Sequence, residues 1–143
     1  SGILFTFTQL KAKIALTNTL TKRKLQPRKE QAFIDLVIDA IRDIKGKNIL
    51  LLDLRHLPDA PSSYFVICEG DSSTQIKAIA ANVERRAKEE AGMRAHSEGQ
   101  LGAKWVLVDF FDLVVHIFDK ETRKYYELED LWSDAHFTEF QNL

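Results

Sequence analysis

Apolar positions recur at three- and four-residue steps from Phe33 onward. Phe33, Leu36, Val37, Ala40, Ile41 and Ile44 form one stripe, with Asp35, Asp39, Arg42 and Asp43 opposite it. That period predicts an amphipathic helix from Glu30, stopped at Gly46, with Lys45 placing a cation in its last turn. "NILLLDL" (48–54) is continuously apolar and too short for a helix, so it predicts a buried strand. Pro58 and Pro61 make residues 55–63 a loop, and "YFVICE" (64–69) predicts a second strand, with Gly70 turning the chain. A second long helix is predicted over "GDSSTQIKAIAANVERRAKEEAG", burying Ile76, Ile79, Ala80, Val83 and Ala87. Ser72 and Gln75 have the spacing of a capping box, Asp71 adds negative charge at that end, and Gly92 is the expected residue just past the C-terminus.

A polar edge segment (93–98) and a glycine-containing loop follow. Two apolar runs, "KWVLVDF" (104–110) and "LVVHIFD" (113–119), are so close that they predict a hairpin. The stretch "KETRKYYELEDLWSDA" predicts a turn and a short helix carrying Leu128, Leu131 and Trp132. The element order implies a single α/β domain, a mixed sheet of about five strands flanked by helices.

A chain of 143 residues is enough for one such domain, and 45% hydrophobic with 29% charged residues is the balance of a soluble globular protein. The single cysteine, Cys68, excludes an intramolecular disulfide and a multi-cysteine zinc site. No apolar run approaches the roughly 18 residues of a membrane span, so no membrane partner is expected. The net charge of −1 excludes a globally basic nucleic-acid binder but hides an asymmetry. Residues 1–29 carry seven basic groups and no acid, leaving 13 basic and 21 acidic groups in 30–143, a net of −8. Residues 1–28 thus read as a basic arm or extension before a domain at 29–143. A flexible arm, an extra helix, an organelle presequence and an extension from an upstream start all fit the segment. The Ser-Gly start, with Met93 the only methionine, points to an expression remnant in its first residues. Pro27 closes it, because the residue before a proline is pushed out of helical geometry.

Catalytic constellations are hard to assemble. "EGDSS" at a helix start suits an anion, but it lacks the G-x-G-x-x-G pattern and the P-loop lysine, and Glu69 and Asp71 repel phosphate, so a helix cap is expected. A nucleotidyltransferase would need two carboxylates one residue apart on the next strand to hold magnesium, and "MRAHSEG" has no such pair. Asp109 and Asp112 flank Phe110 and Phe111 at the hairpin tip, where aspartate usually bonds the local backbone. His56, His96, His116 and His136 show no ligand spacing. His116 lies in an apolar strand and reads as a satisfied, partly buried histidine, and Cys68 as a small core hydrophobe. No enzyme and no cofactor is expected. The last third instead concentrates Trp105, Phe110, Phe111, Tyr125, Tyr126, Leu128, Leu131 and Trp132, with Arg123 nearby, residue types that serve cores and interfaces alike.

These residues carry a resemblance. "SSYFVICEGDSSTQIKAIAANVE", a following "EG" and "WVLVDFFDLVVHIFDKETRKYYELEDLWSDA" resemble the Iojap-related ribosomal silencing factor family, from about Glu30 to Ala135. The resemblance implies a nucleotidyltransferase-like α/β fold and a non-enzymatic translational repressor. Such a protein binds the large ribosomal subunit through its fourteenth large-subunit protein, at the intersubunit face, and sterically blocks joining with the small subunit when nutrients are scarce. A homodimer, and contact of the basic arm with ribosomal RNA, are further partner expectations. The expected location is the bacterial cytoplasm, or a mitochondrion or plastid if residues 1–28 are a presequence. The other class left open is a nucleotide-binding or nucleotidyltransferase-type enzyme. Hairpin pairing brings Trp105 towards the residues after the second strand. The candidate partner contacts are Trp105, Phe110, Phe111, Arg123, Tyr126, Leu128, Leu131 and Trp132, with Asp109 and Asp112 setting the hairpin. Phe111 departs from the family pattern, which has glycine there, and a two-residue turn would demand positive φ of a bulky residue.

Overall fold

Residues 27–143 are described by the computed structural model, so the expected basic arm lies outside the described residues except for Pro27 and Arg28, which open the first helix. The elements in chain order are α1 (Pro27–Asp43), β1 (Lys47–Asp53), β2 (Tyr64–Glu69), α2 (Ser73–Ala91), β3 (His96–Glu98), β4 (Trp105–Asp109), β5 (Leu113–Phe118), α3 (Lys120–Tyr126), α4 (Leu128–Leu131) and β6 (His136–Phe140). One mixed sheet of six strands, rather than about five, runs in the order β3-β4-β5-β2-β1-β6. The unforeseen strand is β6, whose side chains are exposed or half-buried and so carry no burial pattern. It pairs antiparallel with β1, while β2 and β5 form the central parallel pair. Both central strands are covered on both faces, which is why they read as continuous apolar runs.

α1 and α2 pack against each other and one face of the sheet, over Val66, Cys68, Val106, Val108, Val115 and Ile117. The buried stripe of α1 is wider than its simplest period suggests. Ile34 and Ile38 are buried, while Leu36 and Ile44 are only partly so. At its end Lys45, not Gly46, has positive φ (63°), and the Gly46 N–H bonds back to the Ile41 carbonyl. Glycine is needed at 46 for close approach, since an added Cβ would collide with the Ile41 side chain. α2 starts as expected: Ser72 Oγ accepts the Gln75 N–H at 3.1 Å, and Gln75 Oε1 accepts the Asp71 N–H. It ends at Gly92 (φ 64°), whose N–H bonds the Lys88 carbonyl as in an αL cap, with the Met93 N–H on the Ala87 carbonyl.

The opposite face holds a second core of Leu52, Phe65, Ile67, Trp105, Leu107, Val114 and Phe118 under Leu128 and Trp132. The single short helix expected there is two, α3 and α4, joined at Glu127 in the left-handed region (φ 47°).

Candidate functional site

Period-two alternation sorts the hairpin residues. Val106, Val108 and Phe110 face α1 and α2, whereas Trp105 and Leu107 face the short helices. Trp105 enters β4 from a loop whose Gly99 (φ 96°) packs so tightly on the Trp105 carbonyl that a Cβ there would strike it. The indole stacks on Phe118 (centroids 4.8 Å) and supports Tyr126 (4.6 Å). Its Nε1–H donates to His116 Nδ1 at 3.1 Å. Trp105 is 4% exposed, Tyr126 half-buried and Tyr125 78% exposed. The site is thus a buried aromatic floor with tyrosines on top. His116 is fully buried rather than partly so, and burial pushes its pKa down to about 3. Burial also raises the Tyr126 phenol, with the neighbouring Tyr125 adding to it.

α3 buries no residue completely, so apolar packing alone cannot hold it. Asp119 fixes its start by accepting the Thr122 N–H at 2.7 Å. Arg123 fixes its body, reaching the Asn48 carbonyl at 2.7 Å, Glu69 at 2.9 Å and Glu129 at 3.3 Å. Its side chain is 11% exposed, so the charge is spent inside the molecule, tying α3 to β1, β2 and α4. Beside this clamp lies a cleft of about 460 Å³ lined by Lys120, Lys124, Glu127 and Asp130, both signs of charge together.

The hairpin tip lies at the other end of β4, roughly 14 Å from Trp105 at strand rise. Phe111 and Asp112 form the loop. The Asp112 N–H bonds the Phe110 carbonyl and the Phe110 N–H bonds the Leu113 carbonyl. Phe111 has φ 75°, so a bulky residue does sit in the left-handed region. Asp109 Oδ1 accepts the Phe111 N–H at 2.8 Å, and Ser62 Oγ donates to the Phe111 carbonyl at 2.8 Å. Asp109 is 1% exposed, and burial pushes its pKa up to about 6, partly offset by the Phe111 N–H.

The structure therefore divides the ten sequence candidates. Trp105, Arg123, Tyr126, Leu128 and Trp132 come together under and within α3 and α4, and Leu131 stands exposed on α4. Leu128 and Trp132 are buried, Trp132 edge-on to Phe65 at 6.0 Å, which seats α4 on the sheet. Phe110 is in the opposite core, edge-on to Phe33 at 5.0 Å. Phe111, half-buried, stays at the far tip with Asp109 and Asp112. Four large exposed apolar groups of the described residues were not among the candidates: Leu101, Tyr125, Phe137 and Leu143. Helical periodicity cannot single out Tyr125 in so short a helix, and Phe137 lies on the unforeseen β6. Among the described residues no group of three or more His, Cys, Asp or Glu is placed to hold a metal ion.

A family profile described as "Ribosomal silencing factor during starvation" matches residues 27–143. The chain belongs to the ribosomal silencing factor family. It is 35% identical to the ribosomal silencing factor of Halalkalibacterium halodurans over 113 residues, covering 79% of this chain and 96% of that one. A crystal structure of a Chromobacterium violaceum protein is 41% identical, with TM-score 0.68, covering 72% of this chain and 85% of that one. The family reaches organelles: an Arabidopsis thaliana protein described as Iojap-related, mitochondrial, is 30% identical over 97 residues, 65% of this chain and 52% of that one. The family places the chain in translational regulation at the ribosome.

Proposed function

We propose that the chain binds the large ribosomal subunit through a basic ribosomal protein at the intersubunit face, the fourteenth of the large-subunit series, and so blocks small-subunit joining under nutrient limitation. The observation that carries this reading is the Trp105–Tyr126 ring contact, an aromatic floor with exposed Tyr125 beside it, in a chain whose residues 30–143 carry a net charge of −8. Complementary charge speeds and orients encounter with a basic partner, while aromatic anchors supply affinity. The mechanism is steric, since one bound domain occupies surface that the other subunit needs. In this proposal Tyr126, Tyr125 and Leu131 meet the partner and Trp105 supports them from below. Arg123, Leu128 and Trp132 hold the face in place, and Phe110 and Phe111 take no part. The nucleotidyltransferase-like arrangement implied by the resemblance enters for the fold alone.

Co-sedimentation with isolated large and small subunits at two salt concentrations, with light scattering on subunit mixing, tests the proposal. Binding to large subunits only, and reduced scattering, are expected. Unchanged scattering at saturating protein rejects it, and a magnesium-dependent thermal shift with nucleotides would favour the enzymatic alternative. Tyr126→Ala is expected to lose binding while unfolding cooperatively. The seven cations within residues 1–29 suit ribosomal RNA phosphates, so removing residues 1–27, which carry five of them, is expected to reduce the salt dependence. Sedimentation of the protein alone tests the homodimer. The proposed location is the bacterial cytoplasm, with an organelle as the alternative that the Arabidopsis relative supports.

A further inference from the structure

We propose that His116 is a positioning residue for partner binding: by accepting the Trp105 indole N–H it fixes the ring on which Tyr126 rests. This rests on reading the Trp105–Tyr126 pair as part of the docking face. His116 lies in the middle of β5, opposite Ile67 of β2 and Leu107 of β4, with no exposed surface. The residues two before and two after it on the same face, Val114 and Phe118, are apolar core. Its Nδ1 takes the Trp105 N–H, and its Nε2 has no hydrogen-bonding partner among the described residues. A leucine or phenylalanine would fill this place without the unpartnered Nε2, but would take the Nδ1 acceptor from the Trp105 N–H. The imidazole is therefore used for its Nδ1 acceptor. An indole N–H can only donate, so Nδ1 is the bare nitrogen and the proton of the neutral ring is on Nε2. Burial keeps the ring neutral, its pKa pushed down to about 3, so the acceptor persists at physiological pH.

Packing alone leaves the indole a choice. The outer torsion of a tryptophan is broad and roughly two-fold, and stacking on Phe118 is compatible with either face of the ring. The bond at Nε1 selects one of them. Phe65, edge-on to the imidazole at 4.5 Å, fixes the acceptor's own plane. Tyr126 then rests on a floor of one orientation, and the phenol on top is presented in one place rather than two.

The test compares His116→Leu, which removes the acceptor, with His116→Asn, whose Oδ1 stands near the position of Nδ1. Large-subunit co-sedimentation, the Trp105 indole N–H resonance and urea unfolding are the readouts. His116→Leu is expected to weaken binding by about tenfold or more and to move the resonance. His116→Asn is expected to recover both, to within about threefold in affinity. Leucine binding as well as wild type, or asparagine failing to recover what leucine loses, overturns the inference. If the leucine variant does not fold, the imidazole nitrogen resonances of the wild-type chain decide: an Nδ1–H tautomer between about pH 5 and pH 8 overturns it. Wild-type protein that does not bind large subunits removes the docking reading and this inference together. Binding that is indifferent to His116 removes only the inference.

Discussion

The two faces of the sheet are closed by different means. On one, α1 and α2 span 17 and 19 residues and bury long apolar stripes. The polar groups caught between them are matched, as where the Asn82 amide donates to the Ala40 carbonyl at 2.9 Å and to Asp43 at 3.0 Å. On the other face α3 and α4 span seven and four residues, too short for a stripe to develop. That cover is held by particular anchors: the Trp105 stack, Trp132 on Phe65, and the Arg123 clamp. It also leaves Tyr125, Leu131 and Phe137 exposed. A long helix hides its apolar residues by repetition, whereas a short one needs individual contacts and leaves some apolar groups exposed.

The largest test of this contrast is Trp105. Trp105→Ala is expected to cost about 3–5 kcal/mol in urea unfolding, and Trp105→Glu to unfold the chain by burying a charge. Ile79→Ala on the helical face is expected to cost about 2–5 kcal/mol. A loss under about 1 kcal/mol at Trp105 would return it to the surface and dissolve the contrast.

Two arginines sharpen it next. Arg123→Met removes the cation from Glu129 and from Glu69, which keeps the Asn48 amide at 3.2 Å, and is expected to cost about 3 kcal/mol. Arg86→Met on α2 releases Asp39, Asp43 and Glu90, all roughly half exposed, and is expected to cost about 1 kcal/mol or less. Equal losses would show that the short helices do not depend on their clamp.

pH separates two buried groups of opposite sign. His116, depressed to about 3, contributes stability that is present above its unfolded value of 6.5 and lost as the pH falls. Between pH 7 and pH 5 the loss is about 2 kcal/mol. Asp109, raised from 3.8 to about 6, contributes stability present below about pH 4 and lost as the pH rises through 6, so the same descent returns about 1 kcal/mol. Wild type is expected to change little over this interval. Asp109→Asn should fall on acidification and His116→Asn should rise, as read by urea unfolding at the two pH values. Parallel curves for the three proteins would refute these assignments.

The smallest effect is at the tip. Phe111→Gly relieves the strained φ and is expected to leave stability unchanged or raise it by about 1 kcal/mol. A loss well above 1 kcal/mol would mean that the ring packs as core.

The same contrast governs what was legible in the sequence. α1, α2 and the central strands repeat a burial pattern over many residues, so periodicity finds them, as do the caps at Ser72 and Gly92. β6 escapes because five exposed or half-buried residues are held by backbone pairing to a distant strand, which leaves no mark on side-chain pattern. At the candidate site composition located the aromatic third of the chain but could not divide it. Trp105 and Phe110 are an odd number of positions apart, five, so the pleat's parity sends them to opposite cores. Arg123 looked like an interface residue because Glu69, its closest carboxylate partner, is 54 positions away in sequence.

The late position of β6 sets an order of events on the translating ribosome. β1 leaves early with an apolar edge whose partner, from His136 opposite Asp53 to Phe140 opposite Ile49, is made much later. Roughly 80 residues at about 5–20 per second separate the two, an interval of about 4–16 seconds. During it β1 can pair on its β2 side while its other edge stays open, a template for any neighbouring strand. β6 therefore acts as a closing seal, and its pairing ends the exposure of the β1 edge to misassembly.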